Sequence, residues 1–214
     1  MLPRQPVPPG VQKPTRRPRP AVPRARASHA QGRRRGLALR VIALTGVPGT
    51  GKTTLADHVD DVSVLGANDL ARQVDALGGH DDDRQAEIVD EAALAEGATD
   101  AYPEGPVLVE GHLAHHCPAD LVVLLRCHPD ELRDRLATKG WSEAKIEENA
   151  MAETLDALVP EIEQRPAGEL DTTDTEPARL AQTIEALFED GGPEVVLDPL
   201  GTADWTHTLE EGPP

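Results

Sequence analysis

One octapeptide restricts the possible fold more than any other stretch: Gly46-Val47-Pro48-Gly49-Thr50-Gly51-Lys52-Thr53 has the spacing G-x-x-x-x-G-K-[ST] of a P-loop. Such a loop needs a strand entering it and a helix leaving it, because backbone N–H groups and a helix N-terminus must converge on one polyphosphate. Both neighbours are present. Leu39 to Thr45 reads as a buried strand, and Thr53 to Asp60 as the start of a helix. A Gly-rich turn before an ordinary helix can match the pattern by chance, but the flanking strand and helix argue against that. Gly46, Gly49 and Gly51 fall where the chain turns tightly or comes close to phosphate, and Pro48 fixes one torsion. On this reading Lys52 reaches the β- and γ-phosphates of ATP, Thr53 offers its hydroxyl to Mg²⁺, and Thr54 bonds the α-phosphate.

A chain of 214 residues suffices for one α/β domain with tails or a small insertion. Its charge is unevenly placed. Ten of the 21 Lys and Arg precede residue 37 and no acidic residue does, which leaves 11 basic against 38 acidic residues, a net charge of −27. Self-repulsion of that size opposes compaction unless salt screens it, so the acidic surface reads as halophilic solubility, with a docking face for a basic partner as the rival. No apolar run approaches the length of a membrane span. Cys117 and Cys127 form no C-x-x-C pair and no signal peptide precedes the domain, so packing thiols and a cytoplasmic location are expected.

Residues 1–36, rich in Pro, Arg, Ala and Gly, cannot build a core and are expected as a disordered basic tail. They could touch RNA phosphates, or be upstream sequence read in frame with the natural start near Leu39. After the P-loop helix, Val62 to Leu65 is a short strand ended by Gly66, and a helix follows with Asn68 or Asp69 as its cap. Gly78 to Asp83 reads as a flexible loop and Arg84 to Glu96 as an amphipathic helix, a middle piece able to cover an acceptor substrate. Gly105 to His112 is a strand delivering Glu110 and His112 at its C-terminal end, where open α/β sheets place ligands. There Glu110 can hold Mg²⁺ through water, and His112 can contact phosphate or an attacking water. His112, His115, His116 and Cys117 also suggest zinc, but without a second paired ligand set no zinc site is expected.

Leu121 to Leu125 is fully apolar, hence a central parallel strand buried on both faces, with Arg126 at its ligand-facing end. A helix opens at His128-Pro129 and runs through Arg133, Arg135 and Leu136 to the turn at Thr138 to Ser142. A second, long helix capped by Ser142 carries Lys145, Asn149 and Glu153 on one side, and the cationic turn before it reads as a small lid over ATP. Glu169 to Thr173 is the last strand and turn, Pro177 to Phe188 the closing helix, and 190–214 an acidic flexible tail. Helices and strands alternate as βαβ units do, which makes the class α/β.

Gly46 to Thr54, Asn68-Asp69-Leu70-Ala71-Arg72, Glu110-Gly111-His112, Val123-Leu124-Leu125-Arg126, Arg135-Leu136 with Lys139 to Asn149, and Leu170-Asp171-Thr172-Thr173 together resemble the archaeal adenylate kinase family. This family is similar to the eukaryotic nuclear adenylate kinase that also acts in ribosome assembly. The resemblance covers Leu39 to Phe188 and neither tail. It implies a P-loop NTPase fold: a five-stranded parallel sheet flanked by helices within 37–189, an AMP-binding insertion near 66–88 and a short lid near 138–148. It implies the reaction MgATP + AMP giving two ADP, slow ATP hydrolysis, and a role in small-subunit (16S rRNA) maturation. An S11-type small-subunit ribosomal protein is then the partner, with transient contact to pre-ribosomal RNA. By the same resemblance the triphosphate lies on Gly49, Gly51, Lys52, Thr53 and Thr54, with Lys139 in the lid, while Thr53 and Glu110 hold Mg²⁺. Asp69 and Arg72 bind the acceptor; Lys52, His112 and Arg126 serve catalysis, Arg126 by stabilising transition-state charge. The family often has Arg where this chain has Lys139, and Asp where it has Glu110. Two other readings stay open: a ribosome-assembly ATPase with incidental kinase activity, and a P-loop kinase of another small acceptor such as shikimate or dephospho-coenzyme A.

Overall fold

The computed structural model describes residues 39–81, 86–189 and 197–211, so the basic tail 1–36 lies outside the described residues. In chain order the elements are β1 (Val41–Thr45), α1 (Lys52–Ala56), β2 (Ser63–Gly66), α2 (Ala67–Gln73), β3 (Leu77–Asp81), β4 (Ala86–Val89), α3 (Glu91–Ala101) and β5 (Val107–Glu110). A single 3-10 turn (Ala114–His116) leads to β6 (Leu121–Arg126), α4 (Pro129–Thr138), α5 (Glu143–Thr154), α6 (Val159–Ile162), β7 (Ala167–Asp171), α7 (Pro177–Phe188) and α8 (Thr208–Glu211).

The apolar runs pair into one parallel five-stranded sheet in the order β2-β5-β1-β6-β7. Successive side chains of a strand point to opposite faces, and here both faces are covered. Val41, Ala43, Val107, Val109, Val122 and Leu124 pack against α2, α3, α4 and α5 through Leu70, Leu94, Leu132 and Ile146. Ile42, Leu44, Leu108, Val123 and Leu125 pack against α1 and α7 through Leu55, Leu180 and Ile184. The chain leaves β1 to lay β2 and β5 on one side, then β6 and β7 on the other. The loop after β1 therefore sits at the switch point, beside the C-terminal ends of the strands. Register brings the site's side chains to that edge: Leu44 lies opposite Glu110, which also lies opposite Gly66.

Several elements differ from expectation. Leu77–Asp81 and Ala86–Val89 pair as an antiparallel hairpin, where a flexible loop and a helix from Arg84 were expected. The helix starts only at Glu91, because the Asp90 carboxylate accepts from the N–H groups of Ala92 (3.1 Å) and Ala93 (3.0 Å) and so caps it. Helix α2 begins at Ala67 after Gly66, one residue ahead of the expected caps. Helix α1 stops at Ala56, and the acidic stretch after it takes the chain through a left-handed Asp61 (φ 58°). The described part of the acidic tail, 197–211, folds back onto the sheet edge. Asp198 bridges Glu169 of β7 through two backbone hydrogen bonds (2.8 and 3.2 Å), and the Trp205 ring lies 5.0 Å from that of His128 at the head of α4. Among the described residues no helix is long and apolar enough to cross a membrane.

Candidate active site

The glycine loop is shaped by what surrounds it. Gly46 has φ 149°, and a Cβ there would lie 2.7 Å from both the Leu125 carbonyl and Thr50 Oγ1. Gly49 (φ 96°) faces α4, and a Cβ would meet Leu132 Cδ1 at 2.7 Å, so packing as well as phosphate approach demands glycine there. The buried Thr50 closes the turn by donating its N–H (3.3 Å) and its hydroxyl (3.0 Å) to the Val47 carbonyl. The chain then enters α1, whose first-turn N–H groups have no carbonyl within the helix and are left for a ligand.

Lys52 curls back over the loop. Its ammonium donates to the carbonyls of Gly46 and Val47, both at 2.9 Å. Burial lowers its pKa to about 8, against the upward pull of Glu110. Thr53 Oγ1 donates to Glu110 Oε2 at 3.2 Å, so the expected hydroxyl and carboxylate meet although 57 residues apart in sequence. His112 stands at the same edge with its Nδ1 3.4 Å from the Gly46 carbonyl. Desolvation holds its pKa below the usual value, with the Lys52 charge adding to the effect and the Gly46 bond opposing it.

A cavity of about 490 Å³ opens beside the loop. Gly49, Thr50, Gly51 and Thr54 form its end at the glycine loop, and Arg135, Thr138 and Lys139 of α4 and its C-terminus form one wall. Thr172, Thr175, Pro177 and Leu180 form the other. Arg135 is fixed across it. Its guanidinium donates to Thr172 Oγ1 (3.0 Å) and to the Thr172 carbonyl (2.8 Å), and it pairs with Glu131 one turn earlier. Arg135 and Thr172 have no separate role among the residues expected to act. In the sequence Arg135 is marked by its four-residue spacing from Glu131 on α4, and both Arg135 and Thr172 fall in stretches that carry the family resemblance.

Arg126 does not join this site. Its side chain is 1% exposed; Nε donates to Glu153 (2.7 Å), Nη1 to Glu169 (3.1 Å) and Nη2 to Asp156 (2.5 Å). The expected transition-state role is corrected by this placement: strand alternation puts Arg126 on the face of Val122 and Leu124, under α5. Glu153 is likewise no part of a solvated row; it is buried and also accepts from the Cys127 N–H at 3.1 Å. Asp69 and Arg72 form a separate pair on α2, 2.7 Å apart, and Arg72 reaches Glu87 of the hairpin at 2.6 Å. The thiols of Cys117 and Cys127 are buried, and burial pushes their pKa values up to about 11 and about 12, which leaves them inert.

Comparison with known proteins decides the family. Residues 42–156 match the AAA domain family. A protein of Natronomonas pharaonis named "Putative adenylate kinase" is 41% identical over 177 residues, covering 78% of this chain and 99% of its own. A protein of the same name from Pyrococcus abyssi is 34% identical over 177 residues, covering 80% and 94%. The chain belongs to this archaeal adenylate kinase family. A shikimate kinase from Acinetobacter baumannii in complex with shikimate has a similar arrangement, with TM-score 0.47 at 19% identity over 70% of this chain and 92% of that one. Membership implies ATP and Mg²⁺, and the residues present fit both. The Lys52 ammonium at the loop suits a polyphosphate, and the Thr53 hydroxyl beside the Glu110 carboxylate supplies the hard oxygen donors that Mg²⁺ takes.

Proposed function

We propose that this chain is an adenylate kinase that transfers the γ-phosphate of MgATP to AMP, giving two ADP. The observation that carries the reading is continuity. Gly49, Thr50, Gly51 and Thr54 line a cavity of about 490 Å³, which suits one nucleoside, and Lys52 and the Glu110-paired Thr53 lie between them in the same stretch of chain. Phosphoryl transfer asks the protein for positioning and charge rather than covalent chemistry. Thr53 and Glu110 would hold Mg²⁺, which would supply charge neutralisation at the phosphates. Lys52 exchanges its two carbonyl partners for phosphate oxygens, the N–H groups of Gly49, Gly51, Lys52, Thr53 and Thr54 line the polyphosphate, and His112 orients the reacting phosphoryl group. Arg135, fixed by Thr172 on the cavity wall, offers its positive charge to the bound nucleotide, which Arg126 is too enclosed to do.

The acceptor AMP is assigned to the segment 66–88. There Arg72, half exposed and held by Asp69 and Glu87, offers a positioned guanidinium to a phosphate. The turn at 138–148, with Lys139 on the cavity and the Lys145 ammonium 5.9 Å from the Trp141 ring centre, acts as the lid. Slow hydrolysis of ATP and a cytoplasmic location belong to the same proposal. ADP formation from MgATP in molar KCl, with and without AMP and with Lys52→Ala as the blank, tests it. Large AMP-dependent turnover that disappears in Lys52→Ala is expected. Turnover indifferent to AMP overturns the kinase reading, and so does near-native activity of Lys52→Ala.

A second reading is favoured by the net charge of −27 beyond residue 36. An acidic surface complements a basic ribosomal protein of the S11 type, so the nucleotide cycle would serve small-subunit maturation, with the basic residues 1–36 touching pre-ribosomal RNA. Nucleotide-dependent capture of that protein in molar salt supports this role, and capture lost on adding salt or insensitive to nucleotide removes it.

A further inference from the structure

On the far side of Thr45 from the cavity residues, two imidazoles and a carboxylate converge at the base of the glycine loop. His115 and His116 come from the 3-10 turn after β5, Glu161 comes from α6, and one ligand atom of each lies within 4.8 Å of the others. His115 Nε2 is 2.9 Å and His116 Nε2 3.8 Å from the same Glu161 oxygen. The opposite nitrogen of each ring is already engaged: His115 Nδ1 lies 2.9 Å from Thr45 Oγ1, and His116 Nδ1 lies 3.3 Å from Glu91 Oε2. Thr45 has one hydroxyl proton, and its hydroxyl donates to the His112 carbonyl at 3.0 Å. His115 and His116 thus turn their Nε2 atoms toward one carboxylate oxygen while Thr45 and Glu91 hold the opposite nitrogens, a donor arrangement that a divalent cation takes.

We propose that His115, His116 and Glu161 bind a divalent transition-metal ion of the zinc type, at a site separate from the Mg²⁺ position on Thr53 and Glu110. Two imidazoles with one carboxylate select zinc or cobalt over magnesium, which prefers oxygen alone. The Thr45 and Glu91 contacts are the outer hydrogen bonds that metal-bound histidines keep, and they set which nitrogen faces the ion. The frame exists without the ion. Arg165, just past α6, donates to the carbonyls of His115 and Cys117, the latter at 3.0 Å, and so fixes the turn against α6. Tetrahedral ligation at about 2.0–2.1 Å from nitrogen spaces donors about 3.3 Å apart, so the half-exposed Glu161 carboxylate needs only a small adjustment. Water completes the fourth position. The bound ion fastens α6 to the β5–β6 connection and, through Thr45, to the base of the glycine loop. In the sequence His112, His115, His116 and Cys117 lack a second paired ligand set, so no zinc site is expected there; the third ligand lies 45 residues beyond His116 and becomes visible only in the fold.

Full-length protein stripped with chelator and titrated with Zn²⁺ in millimolar MgCl₂ tests the site. One equivalent is expected to bind, with Co²⁺ giving the visible absorption of a tetrahedral complex and Zn²⁺ raising the Tm. His116→Gln and Glu161→Gln, both at accessible positions, should each weaken Zn²⁺ binding by about 100-fold or more and abolish the Tm rise. Glu91→Gln should weaken it by about 10-fold, as loss of an outer partner does. His58→Gln, outside the cluster, should leave binding unchanged. Absence of one-equivalent binding in the wild type overturns the proposal, as does binding that survives either ligand substitution.

Discussion

Lys52 ties nucleotide binding to pH. Without nucleotide, burial holds its pKa at about 8, and a polyphosphate beside the ammonium must raise it, because opposite charge favours the protonated form. Binding at pH 9 therefore draws a proton onto Lys52, whereas at pH 7 the proton is already there. ATP affinity should fall as pH rises through 8, and calorimetry in two buffers of different ionisation heat should show proton uptake at pH 9 and none from Lys52 at pH 7. Lys52→Arg, which stays charged throughout, should remove the uptake; equal uptake at both pH values would show that another group is responsible. The cavity wall divides its work between two cations. Arg135 is locked on Thr172, so Arg135→Ala should raise KM for ATP about 10- to 100-fold, the loss of a charge-assisted contact of about 1.5–3 kcal/mol. Lys139 is exposed at the mouth and lacks a planar group, so Lys139→Arg should lower KM for ATP by roughly two- to tenfold through stacking on the base. Steady-state kinetics at saturating AMP measures both, and an unchanged KM in Arg135→Ala would remove Arg135 from the nucleotide site.

Between elements, the guanidinium of Arg126 joins β6, α5 and β7 by pairing with Glu153, Asp156 and Glu169. Glu153 and Glu169 are 3% and 2% exposed, so Arg126→Met leaves two carboxylates buried without a counter-charge. The expected loss is about 3–5 kcal/mol in urea unfolding, far above the 0–1 kcal/mol of surface pairs such as Arg133 with Glu147. Glu169 also accepts from the N–H groups of Gly201 and Ala203, so the same variant should speed amide exchange at both residues; slow exchange there would show that 197–211 is held independently. This network also shows what a sequence can and cannot reveal. Strands β1, β5 and β6 are legible because burial on both faces leaves continuous apolar runs, and α4 and α5 because their caps are local. The meeting of the glycine loop, Thr53 and Glu110 is legible because the strand-loop-helix order and a second strand ending in Glu110 place them at neighbouring strand ends. The hairpin was read as loop and helix because Gly78-Gly79 and the acidic run resemble a linker, while its stability comes from a strand eight residues on. Arg126 was read as facing ligand, although its parity with Leu124 already placed it under α5. The cavity wall of Arg135 and Thr172 was missed because its halves are 37 residues apart and only packing joins them.

At the scale of the molecule, charge opposes what packing builds. Beyond residue 36 the chain carries 38 acidic residues against 11 basic ones, and several of those bases are already consumed in local pairs: Arg72 with Asp69 and Glu87, Arg126 with three carboxylates, Arg133 with Asp130 and Glu147. The remaining carboxylates repel one another across a small domain. Raising salt from about 0.1 M to about 1 M shortens the screening length from about 10 Å to about 3 Å, which weakens repulsion between distant carboxylates more than attraction within contact pairs. Exposed pairs lose at most about 1 kcal/mol each, whereas the unpaired acids gain collectively. The net effect should be stabilising. Calorimetric melting of the full chain is therefore expected to show Tm rising by several degrees between 0.1 M and 1 M KCl, with the steepest rise at the low end where screening changes most. NaCl should act like KCl, because screening depends on ionic strength rather than on a particular cation. Glycerol, which carries no charge, should not reproduce the low-salt slope. A Tm that stays flat or falls across that range would mean the acidic surface costs the fold little, and would leave a basic partner as the reason for it.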